Sequence, residues 1–129
     1  MKDNVTLTIT SLLAILLGTI HQADDIARGM SPGGLPNLLV VVIGVVWLYG
    51  TLVLAGRRWG YIIILIASFL LIAVPVIHLK GPGIGFGTHR SNGLFFIWVL
   101  LALGITALFS VILSIRGLWK LREPNLSRT

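Results

Sequence analysis

Residues 38–77 read LLVVVIGVVWLYGTLVLAGRRWGYIIILIASFLLIAVPVI, and this stretch decides the fold class. It contains two apolar runs, each close to the ~20 residues that a helix needs to cross the hydrocarbon core of a bilayer. Neither run alternates between apolar and polar residues, and both are too long for strands, so the pattern predicts helices. The link between them, GRRWG at residues 56–60, is short and therefore predicts an antiparallel helical hairpin.

The composition of the whole chain is that of a membrane protein. Of its 129 residues, 56% are hydrophobic and only 11% are charged, whereas soluble domains carry about a quarter charged residues. The absence of cysteine excludes disulfides, thiolate metal sites, covalent c-type haem and thiol redox chemistry. The net charge of +6 comes from basic residues beside apolar runs, where they set topology, so we expect no nucleic-acid partner.

Two further apolar runs flank the hairpin. The four predicted spans cover about residues 5–22, 38–56, 59–78 and 94–116. We therefore predict one domain over residues 1–129 with an all-α fold class, an integral membrane antiparallel four-helix bundle. The first run is interpreted as a retained span rather than a cleaved signal peptide, because Asp3 offsets the charge of Lys2.

Basic residues predict the orientation of the bundle, because they concentrate in cytoplasmic segments. One set of helix ends carries Lys2, Arg57, Arg58, Arg116, Lys120, Arg122 and Arg128, and the other carries Arg28, Lys80 and Arg90. Seven against three predicts that both termini are cytoplasmic. Trp59, Tyr61 and Trp119 are then expected at the cytoplasmic membrane interface.

Each span carries a stripe of small and polar residues on one face, which predicts where the helices pack, because small residues allow close helix approach in lipid. The stripes are Ser11, Ala14 and Gly18; Asn37, Gly44, Thr51 and Ala55; Tyr61, Ser68 and Pro75; and Ala107, Ser110, Ser114 and Gly117.

A polar cluster follows the first span, in the segment IHQADDIARG at residues 20–29. If the helix continues past Ile20, His21 and Asp25 lie one turn apart on the inward face, and Arg28 can pair with Asp24. Gly29 is then expected as the C′ residue that ends the helix. His78 ends the third span on the same predicted outer side, after a kink at Pro75, so we expect it to meet His21.

These five residues, His21, Asp24, Asp25, Arg28 and His78, are the candidate ligand-binding site, and no catalytic residue is assigned. Two imidazoles and a carboxylate form a ligand set for a divalent metal, which His21, Asp25 and His78 would hold if one binds. The sequence leaves the cofactor unknown and does not favour a metal over the other interpretations. A solvated, salt-bridged helix end remains the simple alternative. A third imidazole, His89, falls on the glycine-rich loop that follows Lys80.

The leading interpretation is a small non-catalytic membrane protein that binds a partner, a lipid or a small ligand at this outer cluster. The first alternative is an oligomeric small transporter or channel gated by the cluster. The second is a metal-dependent interfacial enzyme in which His21 acts as general base and Asp25 orients it. Expected partners are membrane lipids and either a second copy of the chain or another membrane protein.

The segments HQADDIARG, HLKGPG and FFIWVLLALGITALFSVILSIRGLW, residues 21–29, 78–83 and 95–119, together resemble uncharacterised small bacterial four-span integral membrane proteins. The resemblance covers most of the chain and implies a multi-pass protein of the bacterial inner membrane, with no assigned activity. Small multidrug-resistance exporters are similar in size and span number, but they depend on a glutamate in the first span. Residues 5–20 contain no acid, which argues against proton-coupled drug export.

Overall fold

The computed structural model describes residues 2–29, 31, 34–80 and 93–122, and in these residues it is all-helical. The four helices are α1 (Lys2–Ala27), α2 (Leu35–Leu52), α3 (Arg58–Lys80) and α4 (Gly93–Lys120). The apolar parts of α1, α3 and α4, at Asp3–Ala27, Arg58–His78 and Leu94–Lys120, are long and apolar enough to cross a membrane, and the apolar part of α2, Asn37–Leu52, is shorter. The predicted all-α class is confirmed.

Two helices have ends that differ from those of the predicted spans. α1 extends beyond the first span to Ala27, so the helical continuation on which the polar cluster depends is present, and Asp24 and Asp25 lie within the helix. The helix then ends as expected: Gly29 has a φ of 70°, and its N–H donates to the carbonyl of Ile26. α2 stops at Leu52 rather than near residue 56, because the chain turns between Val53 and Arg57.

The core lies where α4 packs along α3 and α1, while α2 packs along α3 and, less extensively, α1. Small and polar side chains fill this core, as the stripes predicted. Ser11, Ala14, Thr51, Ser68, Ala107, Ser110 and Ser114 are all fully or almost fully buried. Large apolar side chains such as Leu16, Phe69 and Ile105 are exposed instead, which suits a surface that faces lipid.

One expectation about an individual residue is wrong: Ala55 is exposed rather than on a packing face, because α2 has already ended. Trp59 and Trp119 are exposed. Tyr61 is buried, as its stripe predicted, since its ring packs against the Cα of Gly117 and its hydroxyl donates to Asn4. A side chain at position 117 would overlap that ring, so the glycine permits the close approach of α3 and α4.

A buried polar network joins α1 and α2 inside the core. The Nε1–H of Trp47 donates to Ser11 Oγ over 2.8 Å, and Ser11 and Thr51 share a hydrogen bond of 2.7 Å. Thr51 also bonds to the carbonyl of Trp47 within its own helix. These bonds fix the rotation of α1 against α2 and leave the polar cluster at the opposite end of α1.

Candidate functional site

The side chains of His21, Asp25 and His78 meet where the end of α1 lies against the end of α3. His21 Nε2 lies 3.2 Å from His78 Nε2. Asp25 Oδ2 lies 3.4 Å from the first of these nitrogens and 3.6 Å from the second. His21 is buried, Asp25 is 9% exposed, and His78 is half-buried. The last turns of α1 and α3 therefore point three electron-pair donors at one small volume.

Three electron-pair donors this close together repel one another unless a proton or a cation lies between them. A neutral imidazole carries a proton on only one ring nitrogen, and an ionised carboxylate carries none. The three atoms His21 Nε2, His78 Nε2 and Asp25 Oδ2 form a triangle. Its 3.2 Å side, between the two imidazole nitrogens, suits a hydrogen bond in which one imidazole N–H donates to the other imidazole. The 3.4 and 3.6 Å sides are too long for good hydrogen bonds. One proton therefore accounts for one side of the triangle, whereas a central cation accounts for all three.

Asp24, although adjacent to Asp25, belongs to a separate ion pair. Its Oδ2 lies 2.7 Å from Nε of Arg28, four residues later and just after the end of α1, as the spacing predicted. Both side chains are about a quarter exposed, so this pair lies at the edge of the cluster. The two neighbouring carboxylates thus have different partners, Arg28 for Asp24 and the imidazoles for Asp25.

Phe96, in the first turn of α4, covers the cluster from its third side. Its ring centroid lies 5.6 Å from that of His21 and 5.4 Å from that of His78, and the guanidinium carbon of Arg28 lies 5.1 Å above it. The aromatic face is suited to a neighbouring cation. Phe96 is buried, so it limits the access of water and holds both imidazoles in place.

A groove opens beside the cluster, between α1, α2 and α3. Its volume is about 570 Å³, and its walls are mostly apolar, with His21, Gln22 and Asn37 at one end and Trp47 further along α2. Gln22 donates to Asn37 Oδ1 over 3.1 Å, and Ser31 donates to the same oxygen over 3.0 Å. His21 is the residue that the groove and the triangle of donors share.

Comparison with protein-family models, with curated proteins and with solved structures gave no match. The site is therefore interpreted from its own geometry.

The structure brings together three of the five candidate residues as one cluster, His21, Asp25 and His78, and places the Asp24–Arg28 pair at its edge. His89 lies outside the described residues. Sequence reasoning missed Phe96, because three aromatic residues begin α4 and nothing in their order distinguishes the one that turns inward. It also missed Gln22, whose partner Asn37 had been identified as a packing residue.

Proposed function

We propose that this chain is a multi-pass protein of the bacterial cytoplasmic membrane whose His21–Asp25–His78 cluster binds a divalent transition-metal ion. The fold part of the proposal is an antiparallel four-helix bundle with both termini in the cytoplasm. Interhelical contacts support the antiparallel arrangement: Ser11 meets Thr51, Gln22 meets Asn37, and Asp3 pairs with Lys120. The distribution of basic residues supports the cytoplasmic side for the termini. α2, with 18 residues, is about 27 Å long and so approaches the bilayer thickness.

The distances between the three donor atoms carry the metal part of the proposal. An ion equidistant from atoms separated by 3.2, 3.4 and 3.6 Å lies at least about 2.0 Å from each of them, the minimum being reached in the plane of the three atoms. Zn²⁺ binds imidazole nitrogen and carboxylate oxygen at about 2.0–2.1 Å, and the ligand atoms of a zinc tetrahedron with these bonds lie roughly 3.3–3.4 Å apart. The three donor atoms thus have the spacing of one face of a zinc tetrahedron.

The kinds of ligand favour zinc or a similar transition metal over calcium or magnesium. Imidazole nitrogen suits Zn²⁺, Cu²⁺, Fe²⁺ and Ni²⁺, whereas Ca²⁺ and Mg²⁺ prefer a shell of oxygen atoms. Zinc also accepts a small number of ligands, and three protein ligands leave a fourth position for water or an exogenous group. One carboxylate and two neutral imidazoles around a divalent ion leave a net charge of +1.

Transport through a single chain is less well supported than binding. Between the two sets of helix ends, residues 4–20, 35–56, 59–77 and 94–115 contain no Asp, Glu, Lys, Arg or His. Ion pathways through membrane proteins generally need such groups near the middle of the bilayer. The core below the cluster is filled instead by Ala14, Leu103 and Ala107, all with no exposed surface.

Metal titration of the purified protein tests the proposal. The chain is stripped with a chelator in detergent, and Zn²⁺ binding is measured by competition with a chromogenic chelator. We expect one Zn²⁺ per chain for the wild type. Asp25→Asn removes the carboxylate charge while it keeps the shape, and we expect it to lower the affinity at least about 10-fold.

Asp24→Asn is the matched control, since the same change is made one position earlier in a carboxylate that pairs with Arg28. We expect this variant to bind one Zn²⁺ with nearly wild-type affinity. Equal losses in the two variants would mean a nonspecific acidic patch. No stoichiometric binding by the folded wild type would overturn the proposal.

A further inference from the structure

The groove between α1, α2 and α3 contains empty space that no neighbouring side chain fills. A Cβ added to Gly44 would meet nothing within 4 Å. Further along α2, a Cβ on Gly50 would lie 2.7 Å from Ile63 of α3. α2 is therefore tightly packed against α3 near its C-terminal end and leaves open space near its middle. The volume of about 570 Å³ falls within the range of small-molecule sites, roughly 300–1,000 Å³.

The polarity of the groove changes along its length. At the end near the cluster it is lined by His21, Gln22 and Asn37, and the remaining walls are apolar residues such as Val41, Leu70 and Leu71. Gln22 and Asn37 are partly exposed, so their amide groups are accessible to a ligand at this end of the groove.

The polar end also coincides with the end of the helices. His21 is in the penultimate turns of α1, and Asn37 is in the first turn of α2, so this end of the groove lies where a membrane-spanning bundle would meet the lipid headgroups. The apolar part runs from there toward the middle of the bundle. The groove therefore has the polarity and the direction of a lipid molecule in the same bilayer leaflet.

We infer that the groove binds one acyl chain of a bilayer phospholipid, with the ester or headgroup oxygens of the lipid at His21, Gln22 and Asn37. The chain fills the apolar space beside Gly44 and contacts Trp47. A lipid oxygen accepts a hydrogen bond from the amide N–H groups of Gln22 and Asn37 at the polar end. This site is distinct from the proposed metal site, although His21 belongs to both.

Tryptophan quenching by brominated lipid tests the inference, because the chain contains tryptophans in different environments. Trp47 is 5% exposed and lines the groove, whereas Trp98 is 70% exposed on α4. Two single-tryptophan proteins are prepared, one that keeps Trp47 and one that keeps Trp98, with the other tryptophans replaced by Phe. Each is reconstituted in phosphatidylcholine vesicles with acyl chains that are either unbrominated or brominated near mid-chain.

Trp98 reports on the surrounding lipid and is expected to be quenched in brominated vesicles. Trp47 is shielded from surrounding lipid by the helices, so we expect quenching comparable to that of Trp98 only if an acyl chain enters the groove. An unquenched Trp47 beside a quenched Trp98 would overturn the inference.

Filling the groove provides the second arm. Gly44→Phe adds a side chain where the structure has space, and we expect it to abolish the quenching of Trp47 and leave that of Trp98 unchanged. Val46→Phe adds a ring at an exposed position of α2 that does not line the groove, and it should leave both signals unchanged. Trp47 quenching that persists in folded Gly44→Phe would also contradict the inference. We also expect Gly44→Phe to bind one Zn²⁺ per chain. A loss of Trp47 quenching in this variant then reports on the groove and not on the metal site.

Discussion

His21 and His78 are 57 positions apart in the sequence, and their Nε2 atoms lie 3.2 Å apart. The pair joins the last turns of α1 to the last turns of α3, two helices that otherwise touch only sparingly. With Asp25 one turn after His21, it forms the one group of three potential metal ligands among the described residues. An ion bound here would connect α1 and α3. Elsewhere in the core these two helices make few contacts with each other, because each packs mainly against α4 and α2.

Zinc should therefore stabilise the folded protein. A ligand that binds only the folded state at 100 times its Kd adds about 2.7 kcal/mol to the free energy of unfolding. Thermal unfolding in detergent, followed by circular dichroism with Zn²⁺ or with a chelator, measures this effect as a rise in Tm. His78→Ala should unfold at the same Tm with and without Zn²⁺. A zinc-dependent rise of equal size in His78→Ala would place the stabilising ion elsewhere.

Phe96 should influence metal affinity although it is not a ligand. Phe96→Leu keeps an apolar side chain but removes the ring that contacts both imidazoles and Arg28. Because supporting residues orient metal ligands, we expect about a 10-fold loss of Zn²⁺ affinity in the titration. Phe95→Leu, at an exposed neighbouring position, should have no effect. Similar losses in both variants would show that the effect arises from α4 as a whole.

Much of the fold could be predicted because the chain has strong local signals. Long apolar runs predict helices, and the spacing of small residues predicts which faces pack, so Ser11, Ser68 and Ser114 were correctly expected to be buried. The one-turn spacing of His21 and Asp25 follows from helical geometry alone. The contact with His78 required an additional assumption about the relative position of α1 and α3.

Other features depend on tertiary distances that a sequence does not contain. A glycine on a packing face predicts close approach, and Gly117 behaves in this way against Tyr61. Gly44 has the same kind of spacing on its helix, yet it borders a groove, because α2 lies further from α1 at this level. The stripe on α3 predicted that Tyr61 faces inward, but it could not predict that the hydroxyl donates to Asn4, a partner 57 positions away.

These two glycines give a direct test of packing. Gly117→Ala places a methyl group 2.2 Å from the ring of Tyr61, so something must shift, and overpacking of this kind typically costs about 1–3 kcal/mol. Gly44→Ala meets nothing and should be neutral, or more stable by about 0.5–1 kcal/mol through helix propensity. Equilibrium unfolding in mixed SDS micelles measures both. Equal stability of the two variants would contradict the described contact between α3 and α4.

The proposed topology can be tested because the chain contains no cysteine. Ser127→Cys marks the segment after α4, and Ser91→Cys marks the segment between α3 and α4. In intact spheroplasts, a membrane-impermeant maleimide should label Cys at position 91 and leave position 127 unlabelled until the cells are lysed. Labelling of position 127 in intact spheroplasts would reverse the orientation inferred from the basic residues.

The most direct test of the metal centre is X-ray absorption at the zinc edge on detergent-purified protein loaded with one equivalent of Zn²⁺. We expect about four nitrogen or oxygen ligands at about 2.0–2.1 Å, with the outer-shell scattering of two imidazole rings. We also expect this scattering to fall to that of one ring in His78→Ala. A shell of oxygen atoms without imidazole scattering, or a spectrum unchanged by His78→Ala, would contradict a metal centre built from His21, Asp25 and His78.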